Sequence, residues 1–134
     1  MSPEAAGSHA EELSIEPFDG TVTVRFSDAV IASTRRARIL QEPGREPVLY
    51  IPFEDIYFDF LKRANHSTRC PIKGTASYWD VSAVGDGARN VMWAYETPNP
   101  VASAIADHGA FDERLVSIDA DPIPDTAHRP HLAE

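Results

Sequence analysis

The stretch His66-Ser67-Thr68-Arg69-Cys70-Pro71-Ile72-Lys73-Gly74-Thr75-Ala76-Ser77-Tyr78-Trp79 gathers most of the chain's candidate chemistry. It sets the only cysteine beside cations, a proline turn, a glycine and an aromatic pair. Arg69 and Lys73 flank Cys70, and fixed positive charge favours thiolate over thiol, which makes Cys70 a candidate nucleophile or redox group. The competing reading is a small buried hydrophobe, with Pro71 shaping the turn. Lys73-Gly74-Thr75 offers an ammonium, a residue that lets backbone approach a ligand, and a hydroxyl, a set suited to an anionic group. It is no P-loop, because the upstream glycine at Walker spacing is missing. Tyr78-Trp79 and Trp93-Ala94-Tyr95-Glu96 add aromatic groups and one carboxylate from two segments expected to pair. The site so read has Cys70 as thiol, Glu96 as acid/base, Arg69 and Lys73 as anion holders, and Tyr78 and Tyr95 as pocket walls. All but Arg69 are expected to line one cleft, although a period of two sends Tyr78 and Trp79 to opposite faces, and likewise Tyr95 and Glu96 if the strand continues that far.

These residues need a scaffold, and 134 residues with 43% hydrophobic positions suffice for one domain with a modest core. The formal charge of −9 sits mostly at the ends: residues 1–20 hold five acids and no base, and residues 119–134 four acids and one arginine. The nearly neutral centre speaks against a nucleic-acid partner, and the arginines at 35, 36 and 38 read as a solvated strand face rather than phosphate contacts. A lone cysteine allows no internal disulfide and suits a reducing compartment, so the cytoplasm is expected. No apolar run has the length to cross a bilayer, and the acidic start lacks the basic and apolar parts of a signal peptide. With no HExxH, CxxC or close His/Cys group, neither a metal site nor a cofactor motif is read.

The elements that position the site follow from period-two patterning. Residues 1–18 and 121–134 lack apolar periodicity and read as flexible tails around a single β domain over 19–120. Val22, Val24 and Phe26 mark a half-buried strand turning at Ser27-Asp28 into a second, Ala29 to Leu40. Val48 to Ile51 is a short strand stopped by Pro52, Phe53-Glu54-Asp55 one helical turn, and Ile56 to Leu61 a β-prone run that polar residues 64–69 close. Thr75 to Ala83 and Ala88 to Tyr95 form a hairpin around Gly85-Asp86-Gly87. Asn99 to Asp107 is the one short helix, with Pro100 in its first turn and Gly109 past its end. A last hairpin joins Ala110-Phe111 to Leu115 to Asp119.

The block Cys-Pro-x-Lys-Gly-x-x-x-Tyr-Trp at 70–79, with Tyr50-Ile51-Pro52, Asp55, Trp93-Ala94-Tyr95-Glu96 and Pro98, resembles domain of unknown function family 427 over about residues 20–120. That family sometimes carries a nucleotidyltransferase label. The resemblance implies a mainly β fold of the β-tent or methionine-sulfoxide-reductase-B-like kind, two antiparallel sheets splayed around a cleft. Zinc-bearing relatives of that fold use paired CxxC motifs, and this chain has one cysteine. The reading that follows is a small domain whose inter-sheet cleft takes an anionic or polar small molecule. The alternative is a non-catalytic protein-interaction module, recognised by an exposed hydrophobic strand edge. Nucleotidyl transfer rests on the label alone, since no convergent carboxylates or glycine-serine nucleotide turn are found.

Overall fold

The computed structural model describes residues 13–122, which form ten strands in two antiparallel sheets. In chain order these are β1 (Ser14–Pro17), β2 (Gly20–Phe26), β3 (Ala29–Thr34), β4 (Arg38–Gln41), β5 (Val48–Pro52), β6 (Leu61–Cys70), β7 (Gly74–Ala83), β8 (Asp86–Ala94), β9 (His108–Phe111) and β10 (Ser117–Pro122). The smaller sheet has the order β10-β2-β3 and the larger β1-β4-β5-β9-β8-β7-β6. Strand β2 alternates as its sequence dictates, with Val22, Val24 and Phe26 buried and Arg25 exposed. The β7–β8 hairpin forms as expected, turning through Val84 and Gly85, both in the left-handed region.

Several expected elements are redrawn by side chains that act at a distance. The run from Ala29 to Leu40 divides into β3 and β4, which belong to different sheets. Thr34 Oγ1 takes the Arg36 backbone N–H at 2.9 Å and donates to Asp55 at 2.6 Å, drawing the backbone out of the ladder. Residues 64–69 do not close a strand but lie within β6, whose pairing with β7 shifts register between Arg63 and Ser67. Ile56 makes only a bridge to Ala32, and Phe58–Phe60 is a 3-10 turn. The helix expected over 99–107 is a kinked 3-10 segment, Pro100–Ile105, in which Ala102 departs from helical geometry. The last two strands are no hairpin, because β9 and β10 lie in different sheets. Strand β1 falls inside the stretch assigned to the N-terminal tail and pairs with β4, while β10 runs past residue 120 to Pro122. Residues 1–12 and 123–134 of the two tails lie outside the described residues.

The sheets enclose one core: Val22, Val24 and Ile31 from the smaller meet Ile51, Trp79 and Met92 from the larger. Gly109 lets β9 close here, since a Cβ on it would stand 2.6 Å from Met92 Sδ. A second cluster lies on the far face of the larger sheet, where Leu40, Tyr50, Ala76, Tyr95 and Ala110 are covered by Ala102 and Ile105 of the 3-10 segment and by Leu13 and Ile15. Period two therefore gives each central strand a residue for either side, such as Tyr50 and Ile51, or Tyr78 and Trp79.

Candidate functional site

A groove runs along the far face of the larger sheet, over the second cluster, and at one end reaches the smaller sheet at Ile118 and Ala120. Its middle is a cavity of about 390 Å³ walled by Tyr50, Lys73, Tyr78, Trp93 and Tyr95, with Glu42 and Arg45 from the turn after β4. That turn closes through Arg45 N–H to Glu42 C=O at 3.1 Å, and Gln41 Nε2 donates to Arg45 C=O at 3.2 Å. It thereby presents both charged side chains to the sheet.

Lys73 reaches this face because the turn after Cys70 is clamped. Asn99 Nδ2 donates to the carbonyls of Pro71 and Ile72 at 3.2 and 3.0 Å, and Asn99 N–H donates to Lys73 C=O at 2.9 Å. Gly74 follows at φ 113°, a conformation a side chain would strain. Lys73 is 7% exposed, and its ammonium lies 2.7 Å from Glu42 Oε1 and 5.7 Å from the centre of the Tyr95 ring. A buried ammonium needs such a partner, since an unpaired charge there would carry the full desolvation cost. The pairing also means that Lys73 directs its charge at a carboxylate and not at the thiol.

The phenols share the apolar surroundings. Burial pushes Tyr50 up to about 12, with Trp93 Nε1 donating to its oxygen at 3.3 Å. Burial also raises Tyr95, with the charges of Tyr50, Cys70, Tyr78 and Glu42 acting in the same direction. Both therefore stay neutral at physiological pH, and their O–H groups remain able to donate. Tyr78 shares a 2.9 Å hydrogen bond with Thr68 and stacks at a tilt on His66, the ring centres 4.5 Å apart.

Of the residues singled out in the sequence, Lys73, Tyr78 and Tyr95 meet in this cavity. Arg69 and Cys70 join Lys73 and Tyr95 in an adjoining one of about 480 Å³. Cys70 is half-buried, its sulfur accepting the Lys73 backbone N–H at 3.4 Å, a contact that shapes the turn. Glu96 is not brought together with them. Past the end of β8 at Ala94 its side chain turns to the other side, where Arg63 grips it with two hydrogen bonds of 2.8 and 3.1 Å and Ser77 donates at 3.1 Å. Arg63 holds the Glu96 carboxyl below its ordinary range and also stacks over Trp79, 4.7 Å from the ring centre. Glu96 borders a separate cavity of about 360 Å³ with Arg69, Thr75 and Ser77. A carboxylate so stabilised as its anion is poorly suited to acid catalysis.

Sequence reasoning missed Glu42, Arg45, Tyr50, Trp93 as a groove wall, and Asn99 as the clamp. The signal for Glu42 and Arg45 was the turn Glu42-Pro43-Gly44-Arg45, in which two charges flank a Pro-Gly pair. Among the described residues no group of three or more His, Cys, Asp or Glu side chains stands close enough to hold a metal ion, and no helix is long and apolar enough to cross a membrane. What the groove offers chemically is a row of flat rings, neutral hydroxyl and indole donors, and a sequestered ammonium-carboxylate pair.

A family model described as a domain of unknown function (DUF427) matches residues 14–121. A search of the curated proteins finds no match to the chain.

Proposed function

The chain belongs to the family described as a domain of unknown function, DUF427, whose model spans most of its length, and from that premise we propose that it is a small ligand-binding domain. Its site is the groove over Tyr50, Lys73, Tyr78, Trp93 and Tyr95, and its ligand is a polar or anionic small molecule. The observation that carries this reading is the placement of three sequence-selected side chains, Lys73, Tyr78 and Tyr95, around one cavity of about 390 Å³, a size suited to a metabolite. Flat rings supply stacking area, while the tyrosine hydroxyls, Trp93 Nε1 and Lys73 supply directional polar contacts. No step of bond making is assigned. Family membership brings a label of nucleotidyl transfer but no residue in this groove that performs it.

The protein-interaction alternative receives less support from the free edge of the larger sheet. Strand β6 is mostly exposed, but it carries Lys62, Arg63, His66 and Arg69 and its pairing is irregular near its middle, features that discourage added strands.

Thermal-shift screening of organic acids, sugars and nucleotides, followed by tryptophan fluorescence titration, tests the proposal. A true ligand raises the melting temperature in proportion to ln(1 + [L]/Kd) and perturbs Trp93 emission, a signal that Trp93→Phe removes. Binding that is indifferent to both Tyr78→Ala and Tyr95→Ala would move the site elsewhere.

A further inference from the structure

The cavity at Tyr50 is the middle of three in a row. Toward Cys70 it shares Lys73 and Tyr95 with the chamber of about 480 Å³, and toward the smaller sheet it shares Val48 and Trp93 with a chamber of about 520 Å³. The ends differ in chemistry. In the Cys70 chamber three cations, Arg45, Arg69 and Lys73, face one carboxylate, Glu42, which Lys73 already neutralises at 2.7 Å. Among the described residues Arg45 and Arg69 form no ion pair, in contrast to Arg25, Arg36, Arg63 and Arg114. The far chamber is lined by Val48, Leu49, Phe111, Ile118 and Ala120 together with the charged Asp112, Glu113 and Arg114, of which Arg114 is folded back on Asp112 at 2.8 Å. A positive mouth, an aromatic middle and an apolar end thus follow one another along the groove.

We infer that the groove takes an extended organic anion whose acidic head lies between Arg45 and Arg69, whose flat ring lies against Tyr95 and Trp93, and whose apolar tail fills the chamber at Val48 and Ile118. This rests on the ligand-binding reading above and adds the ligand's class and direction. Two guanidinium groups that form no ion pair among the described residues are natural receivers of a carboxylate or phosphate, because their planar forks match its oxygens. The tail gains by leaving water for contact with the apolar walls at Val48, Leu49, Phe111 and Ile118.

The test uses benzoate, 4-hexylbenzoate and 4-hexylbenzamide, titrated by calorimetry into the full chain. The expected result is at least tenfold tighter binding of 4-hexylbenzoate than of either other compound. Arg45→Gln with Arg69→Gln should erase the preference for the acid over the amide. Ala120→Glu, at an exposed position on the chamber wall, should erase the gain from the hexyl chain and leave benzoate unchanged. Equal affinity of benzoate and 4-hexylbenzoate, or an acid preference that survives the double arginine change, overturns the inference while leaving a ligand site at Tyr50 and Trp93 standing. If none of the three binds but another compound from the screen still perturbs Trp93, this inference fails alone; if nothing perturbs Trp93, both fail.

Discussion

The two faces of the larger sheet are built from the same strands and put to opposite uses. On the inner face Ile51, Trp79 and Met92 pack against the smaller sheet, and Phe53, Phe58 and Trp79 meet edge to face at 5.3 to 6.1 Å. On the outer face the neighbouring residues Tyr50, Tyr78 and Trp93 carry polar atoms, and the cover is a short 3-10 segment rather than a second sheet. Aliphatic side chains such as Ile51 and Met92 can be enclosed without partners, whereas the phenol of Tyr50 and the ammonium of Lys73 are buried on the outer face only with Trp93 and Glu42 as partners. Differences in side-chain ends, rather than in backbone, separate the core from the groove.

The strongest contrast should come from cutting into each face. Met92, fully buried, loses its contacts and leaves a cavity as Met92→Ala, and urea unfolding should show a loss of about 2–5 kcal/mol. Trp93→Phe on the outer face should cost far less; equal losses would mean that both faces are core.

Lys73→Met tests the polar element of the outer face, because it strands Glu42, whose side chain is 15% exposed, without its ammonium. A loss of about 3 kcal/mol is expected, with most of it recovered on adding Glu42→Leu. A double variant no more stable than the single one would show that the pair does not act as a unit.

Deleting residues 1–17 removes β1 and the contacts of Leu13 and Ile15 with the outer cluster, whereas deleting 1–12 leaves them in place. The longer deletion should be less stable by about 1–2 kcal/mol, from lost apolar burial. If the two deletions melt together, the strand contributes nothing and the outer cluster closes without it.

The smallest effect belongs to Glu96. Its folded carboxyl lies below the ordinary 4.5 because Arg63 stabilises the anion, so its contribution is present above that value and is lost as pH falls through the folded one. With Glu96 a third exposed and Arg63 half exposed, the contribution stays under about 1 kcal/mol. Arg63→Gln should therefore flatten the acid side of a stability-against-pH curve below 4.5 and leave the neutral region nearly parallel to that of the original chain.

Patterns of short range were legible from the residues. Alternation located β2, the run Val48 to Ile51 located β5, which extends one residue further to Pro52, the glycine-containing loop located the β7–β8 hairpin, and the block at 70–79 pointed to the side chains that meet at Lys73. Alternation would have set Tyr95 and Glu96 on opposite faces had the strand reached them; β8 ends at Ala94, and beyond it the two side chains part, Tyr95 to the groove and Glu96 to Arg63. Pairings across the chain were not legible. Glu42 finds Lys73 31 residues away, Tyr50 finds Trp93 at 43, and Thr34 leaves its ladder for Asp55 at 21. Each is decided by strand order, which local composition does not encode, and the charge on Lys73 was consequently assigned to the thiol beside it in sequence instead of to a carboxylate across the groove.

Strand β9 has a consequence for how the groove comes into being. It joins β4-β5 to the β6-β7-β8 meander through two residue pairs on the β5 side and three on the β8 side, so its junction with β5 is shorter than any of the hairpins it connects. The meander pairs neighbours in the chain and can assemble quickly, while β9 must bridge to β5 across more than fifty residues and pays a larger loop-closure entropy. Because Tyr50 and Glu42 come from one side of this seam and Lys73, Tyr78, Trp93 and Tyr95 from the other, the site is complete only once the seam has closed. An occupant that touches both walls therefore acts as a clasp: it recognises only finished molecules and slows their reopening.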